Sequence, residues 1–135
     1  MTGWSLEYSF DVDKANAVIY EKIHGIWKAE TASKYHEDFK EEVKPLVESQ
    51  WVKVVDLSNW RTSYPEVIEM IGQHLEWCFN NNMVMSLNIL NNPSTFRQLH
   101  QMFKIGDTKN ISHTFRTNAE AEKFLKENWL ERSIK

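Results

Sequence analysis

The segment Val54-Val55-Asp56-Leu57-Ser58-Asn59-Trp60-Arg61-Thr62-Ser63-Tyr64-Pro65-Glu66 constrains this chain more than any other. Its apolar opening is a strand buried on both faces, its middle is a polar loop, and its end has the form of a helix start. Ser63 is placed as N-cap, Pro65 in the first turn and Glu66 three residues after the serine, a capping box. Strand, loop and helix in that order are the unit of an α/β sheet. In such sheets ligands and modifications gather where strand ends meet helix N-termini.

The flanking segments supply the rest of the sheet. Trp4, Leu6, Tyr8 and Phe10 alternate with polar residues, and Ala17 to His24 alternates again after an Asp13–Asn16 turn, so the two runs form a hairpin. A helix starts at Thr31 or Ala32, with Tyr35, Phe39, Val43 and Val47 at four-residue spacing, and Lys44-Pro45 lies near its end. Val52 to Leu57 is the third strand. The helix after Ser63 carries Val67, Ile68, Ile71, Leu75, Cys78 and Phe79 on one side. Met83 to Leu90 is the fourth strand, and Asn91-Asn92-Pro93 caps a helix that packs Phe96, Leu99 and Phe103. Ile111, His113 and Phe115 mark a fifth strand, and Thr117 with Glu120 makes another capping box before the last helix.

The expected architecture is therefore α/β in the order β-β-α-β-α-β-α-β-α, one domain over residues 1–135, with a mixed, mostly parallel five-stranded sheet. Ser86 and Asn88 in the fourth strand, and Ser112 and Thr114 in the fifth, interrupt the apolar runs that a sheet covered on both faces requires. Helices mainly on one face, and a wetter second face open to a partner, are the expectation.

Composition narrows the function. A formal charge of −3 provides no basic field for a phosphate backbone, which argues against nucleic acid. No apolar run is long enough to span a membrane, and the first residues lack the pattern of a signal peptide. The lone Cys78 forms no intrachain disulfide and fits a reducing cytoplasm. The six tryptophans are assigned mainly to the core.

No catalytic set emerges, and no enzyme activity, cofactor or metal is expected. His74 and Cys78 stand at i, i+4, a spacing that can hold zinc, but no second ligand pair accompanies them and core packing is the reading adopted. Cys78 lies far from a helix N-terminus, so nothing lowers its pKa. His36 belongs to a charged, solvated helix face and His113 to the apolar side of a strand. Four glycines and no phosphate-binding fingerprint argue against a nucleotide cradle.

The element order, with Val-Val-Asp-Leu-Ser before a capped helix, resembles the STAS domains of bacterial anti-sigma-factor antagonists, and more closely the uncharacterised bacterial SpoIIAA-like proteins. The resemblance implies a SpoIIAA-like fold over nearly the whole chain and a non-enzymatic regulatory or protein-interaction role. In signalling members a serine at the corresponding helix N-terminus is phosphorylated, a modification that suits free N–H groups and the positive dipole end. Those members carry an Asp-Ser-Ser-Gly-type motif there; this chain has Arg61-Thr62-Ser63-Tyr64, without glycine. The candidate regulatory or binding residues are Asp56, Ser58, Arg61, Thr62, Ser63, Asn91 and Asn92. Asp56 has a second role open to it, an Asx turn with the loop's own N–H groups. The Asn91-Asn92 loop and the Asp56–Ser63 loop are expected at one end of the sheet, as a polar rim above Trp27 or Trp60. The expected partner is another protein or a second copy of the chain. The alternative is a small-molecule or lipid-binding domain, motivated by the aromatic content and by the similarity of STAS folds to CRAL-TRIO domains.

Overall fold

The computed structural model describes residues 7–61 and 64–132. Strands β1 (Tyr8–Asp13) and β2 (Val18–Ile26) form the expected antiparallel hairpin, and α1 (Ala29–Val43) follows. Then come β3 (Trp51–Arg61), α2 (Pro65–Asn80), β4 (Met83–Ile89), α3 (Pro93–Gly106), β5 (Ser112–Phe115) and α4 (Asn118–Leu125). The sheet order is β1-β2-β3-β4-β5, and every pair after the hairpin is parallel. One 3₁₀ turn, Lys109–Ile111, leads into β5, and a π-helical turn, Lys126–Leu130, extends α4.

Local chemistry accounts for most element ends. Asn92 caps α3 by accepting from the N–H groups of Ser94 and Thr95, and Asp107 closes it in the left-handed conformation. Thr117 and Glu120 complete the capping box of α4 in both directions. Helix α2 departs from expectation. Its N-cap is Tyr64, not Ser63, with Pro65 as first helical residue and no side-chain cap bond. Proline fixes the helical φ and lacks an N–H that would be unsatisfied at N1, while the Val67 N–H bonds the Tyr64 carbonyl at 3.0 Å. Thr62 and Ser63 lie outside the described residues.

Strand β3 also runs four residues beyond the expected Leu57. The cause is its neighbour: β2 continues through Gly25 and Ile26, which pair with Trp60 and Arg61 after a register shift between Lys22 and His24. Gly25 sits at φ +85°, which a residue with a Cβ rarely adopts. Ser58, Asn59 and Arg61 therefore belong to a strand rather than a loop.

Three of the four helices cover one face. There Ile19, Ile23, Trp27, Val55, Leu57 and Trp60 of the sheet and its margin meet Tyr35 and Phe39 of α1, Ile71 and Leu75 of α2, and Leu99 and Phe103 of α3. Helix α4 crosses the other face, where Ala121, Leu125 and Trp129 pack on Val18, Val52, Val54, Leu87 and Ile89. The β4 polarity expectation is inverted. Leu87 and Ile89 face α4, so alternation places Ser86 and Asn88, both buried, beneath the three helices. They are tolerated because they bond each other, Asn88 donating to Ser86 Oγ at 2.9 Å and to the His113 carbonyl at 3.2 Å. The exposed remainder of the α4 face, with Ser9, Asp11, Lys22 and Asp56, is the wetter surface.

Trp27, Trp51 and Trp60 are fully buried and Trp129 nearly so, which makes tryptophan the largest filler of the core. Helices α2 and α3 meet at two glycines: a Cβ on Gly106 would stand 2.5 Å from the Gly72 carbonyl oxygen. Because the obstacle is backbone, the helices themselves must separate. Gly106→Ala is expected to lower stability by about 1–3 kcal/mol, the range for overpacked contacts, measured by chemical denaturation. Unchanged or increased stability would contradict this close helix contact.

Candidate functional site

The chemically richest group in the molecule is buried beneath α1 and α2. Lys53, near the start of β3, is 3% exposed, Glu21 of β2 is 3% exposed and His74 of α2 is 1% exposed. Lys53 Nζ lies 3.5 Å from Glu21 Oε2 and donates to His74 Nε2 at 2.9 Å. It also stands 4.9 Å above the Phe39 ring, a cation–π contact. The Tyr35 hydroxyl donates to Glu21 Oε1. On its other side His74 Nδ1 meets His36 Nδ1 at 2.8 Å, and Cys78 Sγ lies 3.6 Å from His74 Nε2.

The contacts assign the tautomers. An ammonium only donates, so His74 Nε2 accepts and its proton sits on Nδ1, from which it donates to His36 Nδ1. Burial and the Lys53 charge hold the His74 pKa well below the usual histidine value. Burial and Lys40 lower that of His36. The Glu21 carboxyl is raised by burial, against the pull of Lys53 and the Tyr35 hydroxyl. Burial pushes the Cys78 thiol up to about 12, so it stays protonated and unreactive.

His74 and Cys78 are core residues, as expected, and an ammonium on His74 Nε2 blocks the lone pair that a metal needs. Among the described residues no three acidic, histidine or cysteine side chains converge as a metal site. His36 differs from expectation: it is half-buried and bonded to His74 rather than fully solvated. Lys53 and Glu21 were not singled out from sequence. The available signal was a charge at an apolar position: Glu21 falls in step with Ile19 and Ile23, and Lys53 interrupts Trp51-Val52-Lys53-Val54-Val55.

The described candidate residues are distributed over three places. Asp56 accepts from the Ser58 N–H at 3.0 Å in the Asx geometry considered above, and its side of the sheet opens towards Lys22 and Tyr20. Arg61 ends β3 opposite Ile26, which is 67% exposed, and Tyr64, three residues on, is 36% exposed. Asn91 and Asn92 line a separate open cleft of about 760 Å³ between α3, β5 and α4, whose walls include Phe96, His100, Phe115 and Phe124. Trp27 and Trp60 do not form its floor; they are buried and packed edge-to-face, 5.7 Å apart. His113 lines the cleft half-exposed, in tilted contact with Phe124 at 4.6 Å between ring centres.

No protein-family model and no curated protein sequence matches the chain. Among solved structures, an anti-sigma factor antagonist from Mycobacterium paratuberculosis is similar, with a TM-score of 0.59 at 13% identity, over 93% of this chain and 99% of that one. The NMR structure of the protein TM1081 matches with a TM-score of 0.59 at 13% identity, over 95% and 94% of the two chains. The protein thus has the SpoIIAA-like STAS fold, a five-stranded mixed sheet with four helices. Among the described residues no helix is long and apolar enough to cross a membrane.

The buried group yields two predictions. Lys53→Met leaves the Glu21 carboxylate without its counter-charge, and a loss of about 3–5 kcal/mol is expected, the range for breaking a buried pair. The double variant Glu21→Leu with Lys53→Met should recover most of it in urea denaturation. A double variant as unstable as the single would contradict the pairing. Histidines with lowered folded pKa values take up protons on unfolding, so their contribution to stability is present above about pH 6.5 and lost as pH falls. Glu21, whose folded pKa is raised, acts in the opposite sense, since its protonation favours the folded chain. Comparing wild type with His74→Gln isolates the histidine: the wild type should lose stability more steeply below pH 6.5, by up to about 1.4 kcal/mol per unit. Parallel pH curves would contradict a buried neutral His74.

Proposed function

We propose that this chain is a non-enzymatic regulatory domain that binds another protein through the surface where β2 and β3 end. The observation that carries the reading is the exposed Ile26 in register with Arg61, with Tyr64 close along the chain. A large apolar side chain beside a guanidinium and a tyrosine has the composition of an interface anchor, since such residues dominate binding energy. The likeness in fold to an anti-sigma factor antagonist supports it.

In sequence Arg61 is followed by Thr62, Ser63 and Tyr64, of which Thr62 and Ser63 lie outside the described residues. Ser63 immediately precedes the Tyr64 N-cap in the sequence, so its phosphorylation is the modification to test for an effect on partner binding. The non-enzymatic part of the proposal is supported by the sealing of Glu21, Lys53, His74 and Cys78 within the core. Groups with perturbed proton affinities serve catalysis only where a substrate reaches them.

The test is quantitative affinity purification of the tagged chain from its own host at native abundance. Ile26→Asp and Arg61→Glu should each reduce recovery of a specific partner about tenfold, as expected for loss of more than 1 kcal/mol at an anchor. Phe79→Asp, an exposed apolar site at the far end of α2, should leave recovery unchanged. Equal recovery with all three variants would overturn this surface as the interface.

A further inference from the structure

We propose that the cleft between α3, β5 and α4 is a binding site for a small amphiphilic carboxylate, an apolar body carrying one anionic head. The site is distinct from the Ile26–Tyr64 surface and does not depend on it. Its volume of about 760 Å³ falls within the roughly 300–1,000 Å³ range of pockets that hold small ligands.

The walls supply the apolar half. On the α3 side Phe96, 41% exposed, packs on His100 with ring centres 4.4 Å apart, and Phe103 lies deeper. On the opposite side Phe124 of α4 gathers His113 and Phe115 at 4.6 and 5.3 Å. A ring or chain entering between these two groups would cover aromatic surface that water now wets.

Charge selects the sign of the head group. The chain as a whole holds 19 acidic and 16 basic residues, yet the charged residues lining the cleft are Lys109 and Arg116, both cationic. Neither has a carboxylate partner among the described ion pairs. The neighbouring acid, Glu120, spends its carboxylate on the N–H groups of Arg116 and Thr117 in the α4 capping box. The strand edge adds a donor. The Phe115 carbonyl accepts from Leu90 N–H, so Phe115 turns its backbone towards β4. By alternation Thr114 turns its N–H to the open edge, which the cleft follows. Arg116, Thr114 N–H and the Asn91 and Asn92 amides thus offer a carboxylate a charged, hydrogen-bonding mouth above an aromatic floor.

The test is ¹H–¹⁵N NMR titration of the whole chain with biphenyl-4-carboxylate, with decanoate, and with the uncharged biphenyl-4-carboxamide. The expected result is saturable shifts at Asn91, Asn92 and Thr114 to Arg116 with at least one carboxylate. Binding of that carboxylate should weaken tenfold or more in Arg116→Gln. If the biphenyl acid binds, its amide should also be tenfold weaker. Arg116 is exposed, so a well-dispersed spectrum of the variant establishes that the fold is intact. Arg61→Glu should bind as the wild type does, which separates this site from the protein-binding surface. The proposal is overturned if neither carboxylate gives saturable shifts up to millimolar concentration, or if the shifts fall elsewhere. It is equally overturned if Arg116→Gln, or the amide in place of a binding biphenyl acid, leaves affinity unchanged.

Discussion

The architecture turns on a charge placed where an apolar residue would be cheaper. Lys53 sits at the centre of the sheet, and removing an ammonium from water costs several kcal/mol unless partners replace the solvent. Those partners come from three elements: Glu21 from β2, His74 from α2 and the Phe39 ring from α1. Each satisfies the lysine only if its own element lies in place. The pair therefore specifies how both helices dock on the sheet, while the surrounding tryptophan and phenylalanine rings supply most of the burial. Tyr35 extends the network by bonding Glu21, and His36 extends it towards the surface by receiving the His74 proton. Reactive side chains are thereby tied up in structure, and the residues proposed for binding lie on the surface.

That surface is concentrated where parallel strands end. Ile26 and Arg61 close β2 and β3, Asn91 follows β4, and Arg116 follows β5. In an open parallel sheet the carboxyl ends of strands meet helix N-termini, so polar groups and irregular backbone accumulate there. The apolar bodies beside them differ in kind. Ile26 is exposed at the end of β2, whereas Phe96, Phe115 and Phe124 line a cleft. The two surfaces proposed for binding thus differ in shape and share no residue.

Most of this fold was legible because local signals and tertiary structure agree. The Asp13–Asn16 turn, the Asn92 cap and the Thr117–Glu120 box appear where their residues indicate. The helix stripe Tyr35, Phe39 and Val43 is buried as its spacing implies. Failures occur where distant residues decide. The end of β3 depends on Gly25 keeping β2 in the sheet, which no pattern within β3 encodes. Ser86 and Asn88 look like a wet face but are buried polar groups that satisfy one another. Lys53 resembles a routine surface lysine until Glu21 and His74, 32 residues before and 21 after it, are brought to it. The sequence marks the candidate residues singly; their division among a sheet face, a strand end and a cleft depends on the strand order.

Lys53 holds His74 as a neutral acceptor inside the core. Two-bond ¹H–¹⁵N NMR of the histidine side chains reads this directly. His74 is expected to carry its proton on Nδ1 at neutral pH and to remain neutral well below the ordinary histidine pKa. A His74 protonated on Nε2, or one that titrates like an exposed histidine, would contradict it.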